Sequence, residues 1–141
     1  MLKGVSPLLS PDLLHALASM GHGDEIVIAD ANFPAARYAQ RLIRTPGIQA
    51  TSLLEAVLTV LPLDDFVEQA AFTMQVVGDA QTVPDVVREF DELLIAHGVG
   101  RSSGLERFDF YRRAARAFVI VATGEIRTYG NIVLTKGVVR P

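Results

Sequence analysis

His22 lies between Gly21 and Gly23, is followed by Asp24, and leads into the apolar run Glu25-Ile26-Val27-Ile28-Ala29, which ends at Asp30. Imidazole is the side chain best suited to give and take a proton near neutrality, and flanking glycines open backbone shapes closed to other residues. His22 is therefore a candidate acid–base group. The same residues also read as a helix-end histidine meeting the negative end of a helix dipole, and both readings stand at this point. Asp30 is an isolated acid at the carboxyl end of a buried strand, where ligands gather in open α/β sheets, or else a turn-capping aspartate. A second cluster, Tyr129-Gly130-Asn131, combines a phenol with an amide that offers two donors and an acceptor. Such groups suit the adjacent hydroxyls of a sugar, with an aromatic ring for its apolar face; the alternative is a strand-start turn. Arg107 precedes Phe108, Phe110 and Tyr111 and reads either as a solvated helix-start residue or, since that is an unfavourable place for a cation, as one with a specific role.

The remaining candidates are weaker. His15 falls inside a helix beside Leu14 and Ala16, and His97 at a helix end, where an imidazole has a structural reason to be. A metal site from His22, Asp24 and Asp30 lacks a second histidine at ligand spacing, so no metal is expected. The absence of cysteine removes disulfides, thiolate nucleophiles and cysteine-bound metals. Gly98-Val99-Gly100 is not followed by Gly-Lys-Ser/Thr and makes no phosphate loop.

Elements that would position these residues follow from the patterning. Ser10-Pro11-Asp12 reads as a helix start that runs to Gly21, with Leu13, Leu14, Leu17 and Ala18 facing inward. Residues 25–29 read as a strand covered on both faces. Ser52-Leu53-Leu54-Glu55 has the form of a capping box opening a helix that ends near Pro62. Ala71 to Val77 reads as a strand closed by Gly78-Asp79, and Asp85 to His97 as an amphipathic helix with Gly98 past its end. Phe108 to Ala117 predicts a helix with Arg112, Arg113 and Arg116 on its wet side. Phe118 to Thr123 then predicts a strand, turning at Thr123-Gly124-Glu125 into a C-terminal hairpin with residues 132–134. Strands alternating with helices imply an α/β fold with a mainly parallel sheet.

The chain has 141 residues, half of them hydrophobic and 21% charged, which fits one domain over residues 1–141 with a substantial core. A mean hydropathy of +0.30 suggests apolar surface shared with other subunits, or buried parallel strands. No apolar run is long enough to span a bilayer and the N-terminus does not resemble a signal peptide, so no membrane partner and a cytoplasmic location are expected. A net charge of −3 argues against nucleic acid as a partner.

Taken together, several short segments resemble the fucose branch of the ribose pyranase/fucose mutarotase family. They are Met1-Leu2-Lys3-Gly4, Ser6-Pro7-Leu8-Leu9-Ser10-Pro11, Gly21-His22-Gly23-Asp24-Glu25-Ile26 and Asp30-Ala31-Asn32-Phe33-Pro34. Arg107-Phe108 with Phe110-Tyr111, and Tyr129-Gly130-Asn131-Ile132 with Lys136-Gly137-Val138, complete the set. The match runs from the first residues to the last in order and spacing, although residues 81–106 match less clearly and no functional residue is carried over from them. The resemblance implies a single three-layer α/β domain that assembles into ring-shaped homo-oligomers, often decamers of two stacked pentamers, with sites where subunits meet. It implies no cofactor. His22 would be the catalytic residue, and Asp30, Arg107, Tyr129, Gly130 and Asn131 would contact a monosaccharide.

The implied reaction is L-fucose anomer exchange by acid–base opening and closing of the sugar ring, an isomerase activity. In it Asp30 would bind a hydroxyl or orient the imidazole. The alternatives are a D-ribose pyranase and a non-catalytic sugar-binding or transport-accessory protein.

Overall fold

Strand β1 (Glu25–Ala29) is the axis of the molecule, and its side chains alternate with the period of two that a strand imposes. Ile26 and Ile28 enter one apolar core, Val27 and Ala29 the other. The computed structural model describes residues 1–141. Five further strands, β2 (Leu42–Thr45), β3 (Ala71–Met74), β4 (Ser103–Leu105), β5 (Val119–Thr123) and β6 (Ile132–Thr135), join β1 in one sheet ordered β2-β5-β1-β6-β3-β4.

Helices cover both faces. On one side α1 (Pro11–Ser19), α3 (Ala50–Leu58) and α4 (Asp85–Ala96) place Leu13, Leu17, Leu53, Leu54, Phe90 and Leu94 against the sheet. On the other, α2 (Ala35–Tyr38) and α5 (Arg107–Arg116) contribute Ala35, Phe110 and Ala114. The result is the expected three-layer α/β arrangement in a single domain.

The sheet is mixed rather than mainly parallel. β1 pairs in parallel with β5, β5 with β2, and β3 with β4, but β6 runs against both β1 and β3. The expected C-terminal hairpin is also wrong, because β1 lies between β5 and β6. Residues 124–131 carry the chain over the carboxyl end of β1, and without a helix to bring it back β6 can only return antiparallel.

Other differences have local causes. Ser52 and Glu55 do not form a capping box: they lie inside α3, whose N-cap Gln49 makes no side-chain cap bond. Strand β3 stops at Met74, and residues 76–79 form a tight turn with Gly78 at φ 74°. The short elements α2, β2 and β4 carry too few apolar residues to announce themselves. β4 even contains Gly104, over which Gln75 packs so closely that a Cβ would lie 2.8 Å from its Cγ. Arg113 is half-buried, paired with Glu25 at 2.8 Å and stacked over Phe72.

Where the local signals were strong they match the structure. The Ser10 hydroxyl accepts from the Leu13 amide at 3.2 Å, with Pro11 in the first turn of α1. His97 caps α4, followed by Gly98 at φ 76°.

Candidate functional site

The carboxyl end of β1, the turn after β3, the start of α5 and the loop entering β6 enclose a cleft of about 380 Å³. Asp30, Phe33, Arg107, Tyr111, Tyr129 and Asn131 line it. Three separate stretches of sequence thus bring Asp30, Arg107, Tyr129 and Asn131 together.

Asp30 and Asn131 are both buried and hold each other in a two-way clasp. The Asp30 amide donates to Asn131 Oδ1 at 2.8 Å, and Asn131 Nδ2 donates to Asp30 Oδ2 at 2.9 Å. The other carboxylate oxygen accepts the Asn32 amide at 2.9 Å, the turn-capping geometry that an Asp-X-Asn segment favours. Burial raises the Asp30 pKa above the ordinary carboxylate value, while the Asn32 and Asn131 hydrogen bonds work against that shift.

Tyr129 has φ 66°, the only left-handed non-glycine residue in the chain, and its phenolic oxygen accepts the Val77 amide at 3.1 Å. Gly130 lends no side chain to the cleft. It allows a close approach, since a Cβ there would lie 2.8 Å from Glu125 Cγ and 3.1 Å from the Arg127 carbonyl. Arg107, the first residue of α5, has its guanidinium 4.6 Å from the Phe108 ring centroid. Its Nε is buried without a hydrogen-bond partner, although buried donors are nearly always paired.

Opposite these polar groups stands an aromatic wall. Tyr111 meets Phe33 edge-on at 5.6 Å between centroids and stacks on Tyr38 at 5.2 Å. One cleft therefore brings polar side chains and aromatic rings together.

His22 is not among them. It sits beyond the amino end of β1, so the length of that strand, about 16 Å at strand spacing, separates it from Asp30. Asp30 cannot orient the imidazole of its own chain. Asp64 does so instead: His22 Nε2 lies 3.0 Å from Asp64 Oδ1 and its ring 5.2 Å from that of Phe66. The Asp64 side chain is 4% exposed and that of His22 45%.

The Asp64 carboxyl is held below the usual range by the Phe66 amide, with a further contribution from His22. An ionised carboxylate can only accept, so Nε2 is the donor and Nδ1 is the ring nitrogen facing outward. Sequence reasoning missed Asp64. Its only signal is an aspartate two residues before the amide it caps, a pattern shared by many turns.

The structure holds His22 by its neighbours rather than at a helix end. α1 stops at Ser19, and Lys136 closes it with hydrogen bonds from Nζ to the Leu17 and Met20 carbonyls. The Lys136 backbone brackets His22, accepting from the Gly23 amide and donating to the Asp24 carbonyl. Gly23 takes φ 85°, so the glycine after His22 has a conformational reason.

Comparison with known proteins shows the family. The model of the RbsD / FucU transport protein family matches residues 3–139. A fucose mutarotase of Homo sapiens is 50% identical over 144 residues, covering 97% of this chain and 94% of the relative. An L-fucose mutarotase of Haemophilus influenzae is 46% identical, covering 98% and 97%. The crystal structure of the fucose mutarotase of Streptococcus pneumoniae in complex with L-fucose superposes with a TM-score of 0.93 at 43% identity, covering 99% of this chain and all of that one.

Proposed function

As the chain belongs to the RbsD/FucU family, we propose that it is an L-fucose mutarotase, an isomerase that interconverts the α and β anomers of the free sugar. The observation that carries this reading is the cleft itself. Arg107, the Asp30–Asn131 clasp and the rings of Phe33 and Tyr111 line one space, and Arg107 Nε is buried beside it without a protein acceptor. L-Fucose carries hydroxyls for the first set and a C5 methyl for the second.

In this reading Asp30 accepts a sugar hydroxyl, while Arg107, Tyr129 and Asn131 donate to or accept from the others. Gly130 lets the backbone come close. The proton donor is His22, which stands too far from the cleft of its own chain to reach it. We infer that a site forms where His22 of the partner subunit reaches the cleft, in a ring-shaped homo-oligomer, with two stacked pentamers as the expected assembly. Exposed apolar side chains at Met1, Leu2, Phe66, Val138 and Val139 are consistent with subunit contacts.

During ring opening His22, as the imidazolium, gives the proton on Nδ1 to the ring oxygen as the C1–O5 bond breaks, while Nε2–H stays on Asp64. The anomeric hydroxyl loses its proton to a water or through Tyr129, and C1 becomes a carbonyl. Rotation about C1–C2 and the reverse transfers close the ring on the other face, so the protein ends in its starting protonation state. Positioned acid–base catalysis contributes about 10²- to 10⁴-fold, enough for a reaction that already proceeds in water.

Saturation-difference NMR of L-fucose anomer exchange tests the activity, with D-ribose in parallel. Mixing tests the shared site. His22→Ala and Asn131→Ala oligomers, each inactive alone, should regain roughly a quarter of wild-type activity after co-refolding, because random neighbours then restore one site in four. No recovery would show that both residues serve one chain's site. Exchange accelerated for ribose alone would move the substrate to the pyranase class.

A further inference from the structure

Glu125 is the most deeply buried acid in the chain, only 1% exposed, and the mechanism above gives it nothing to do. Burying a carboxylate is costly unless every lone pair finds a donor. Here each does. Glu125 Oε1 accepts the Arg127 amide at 3.0 Å and Arg127 Nε at 2.9 Å, and Oε2 accepts Arg127 Nη2 at 3.0 Å. The carboxyl is held below its ordinary value chiefly by Arg127, with a small further contribution from the Ala50 backbone at the start of α3. Its negative charge lies near the positive end of α3, which has no side-chain cap from Gln49. Arg127 is held from the far side by Glu89 of α4, at 2.8 Å.

These contacts surround the sugar-binding loop. The Glu125 carbonyl accepts the Ala31 amide at 2.8 Å, next to Asp30. Its Cγ fills the space beneath Gly130, between Tyr129 and Asn131, where no Cβ would fit. Residues 124–131 are therefore folded around their own ion pair and tied to the segment before α3, to α4 and to the end of β1. Tyr129 keeps a left-handed conformation, which costs energy for a non-glycine residue and needs its surroundings to hold it.

We propose that Glu125 is a positioning residue, with Arg127 as its partner, that sets Tyr129 and Asn131 against Asp30 for sugar binding without touching the sugar. This rests on the sugar-binding reading of the cleft. Its effect belongs to affinity, because everything it holds lies on the binding side and His22 lies at the other end of β1.

The test uses the intact oligomer with L-fucose as probe. Glu125→Gln keeps the shape but turns one acceptor into a donor facing the Arg127 donors. Affinity by calorimetry and KM for exchange should both weaken about tenfold, the usual scale for loss of an outer-shell partner. The pH profile of kcat should not move. Leu94→Ala, a core change in α4, controls for stability alone and should retain wild-type affinity below its unfolding temperature. If Glu125→Gln does not fold, Arg127→Lys keeps a charge without the forked donors and should show the same selective loss.

Wild-type affinity in the folded variant, or an equal loss in Leu94→Ala, would overturn the proposal. A wild-type protein that does not exchange L-fucose would refute the functional reading instead. The positioning itself would still be decided by amide shifts at Ala31, Gly130 and Asn131 in Glu125→Gln, which must change if Glu125 holds the loop.

Discussion

Replacing Asn131 by Ala removes both halves of the clasp on Asp30 at once. The charge-assisted bond from Asn131 Nδ2 to the carboxylate contributes about 1.5–3 kcal/mol, and leaving the Asp30 amide buried without its acceptor costs about 1–3 kcal/mol. Water from the adjoining cleft can re-solvate part of this, so a net loss of about 3 kcal/mol is expected, near the lower end of the sum. For a chain of this size that corresponds to a fall in Tm of about 10 °C.

The loss should also depend on pH. Burial holds the Asp30 pKa above its ordinary value of 3.8, and the Asn131 amide is one of the groups resisting that rise. Without the amide the folded-state value climbs further while the unfolded value stays put. The variant's deficit therefore grows as pH rises through the folded-state range and shrinks towards acid, where Asp30 is protonated in both proteins. Thermal and denaturant unfolding followed by circular dichroism at pH 4 and pH 7, at one protein concentration, gives both quantities. A Tm within about 2 °C of wild type at pH 7, or a deficit equal at both pH values, would refute the reasoning.

Further predictions follow from the same contacts. His22→Ala should abolish the acceleration of L-fucose exchange, and Asp64→Asn should lower kcat by about tenfold with KM unchanged, because the imidazole loses a partner while the cleft stays intact. Equal loss of sugar affinity in Asp64→Asn would place that residue in binding rather than orientation. Gly130→Ala should destabilise the fold by about 1–3 kcal/mol and weaken sugar binding, since its Cβ would overlap Glu125 Cγ; denaturant titration and calorimetry check the two effects. The Glu125 carboxyl is pulled below its ordinary value of 4.5, chiefly by Arg127. Its stabilising contribution should be fully present above pH 4.5 and lost as pH falls through the depressed folded value, a loss absent from Glu125→Gln.

Much of this molecule was legible along the chain. Ser10, Pro11 and Asp12 specify the start of α1 because a cap acts over three residues, and the apolar run 25–29 specifies a strand covered on both faces because each side chain meets a core. Asp30, Arg107, Tyr129 and Asn131 were identifiable as chemistry-bearing residues by type, by local setting and by resemblance to a known family. Their meeting in one cleft required the sheet order.

What only the tertiary structure decided depends on contacts distant in sequence. The insertion of β1 between β5 and β6, the hold of Glu89 on Arg127 and the hold of Asp64 on His22 join residues 38 or more positions apart, which no local pattern encodes. The separation of His22 from Asp30 has the plainest reason. Eight residues of sequence are short, but an extended strand turns them into a distance no side chain can span, so His22 and Asp30 of one chain cannot serve the same site.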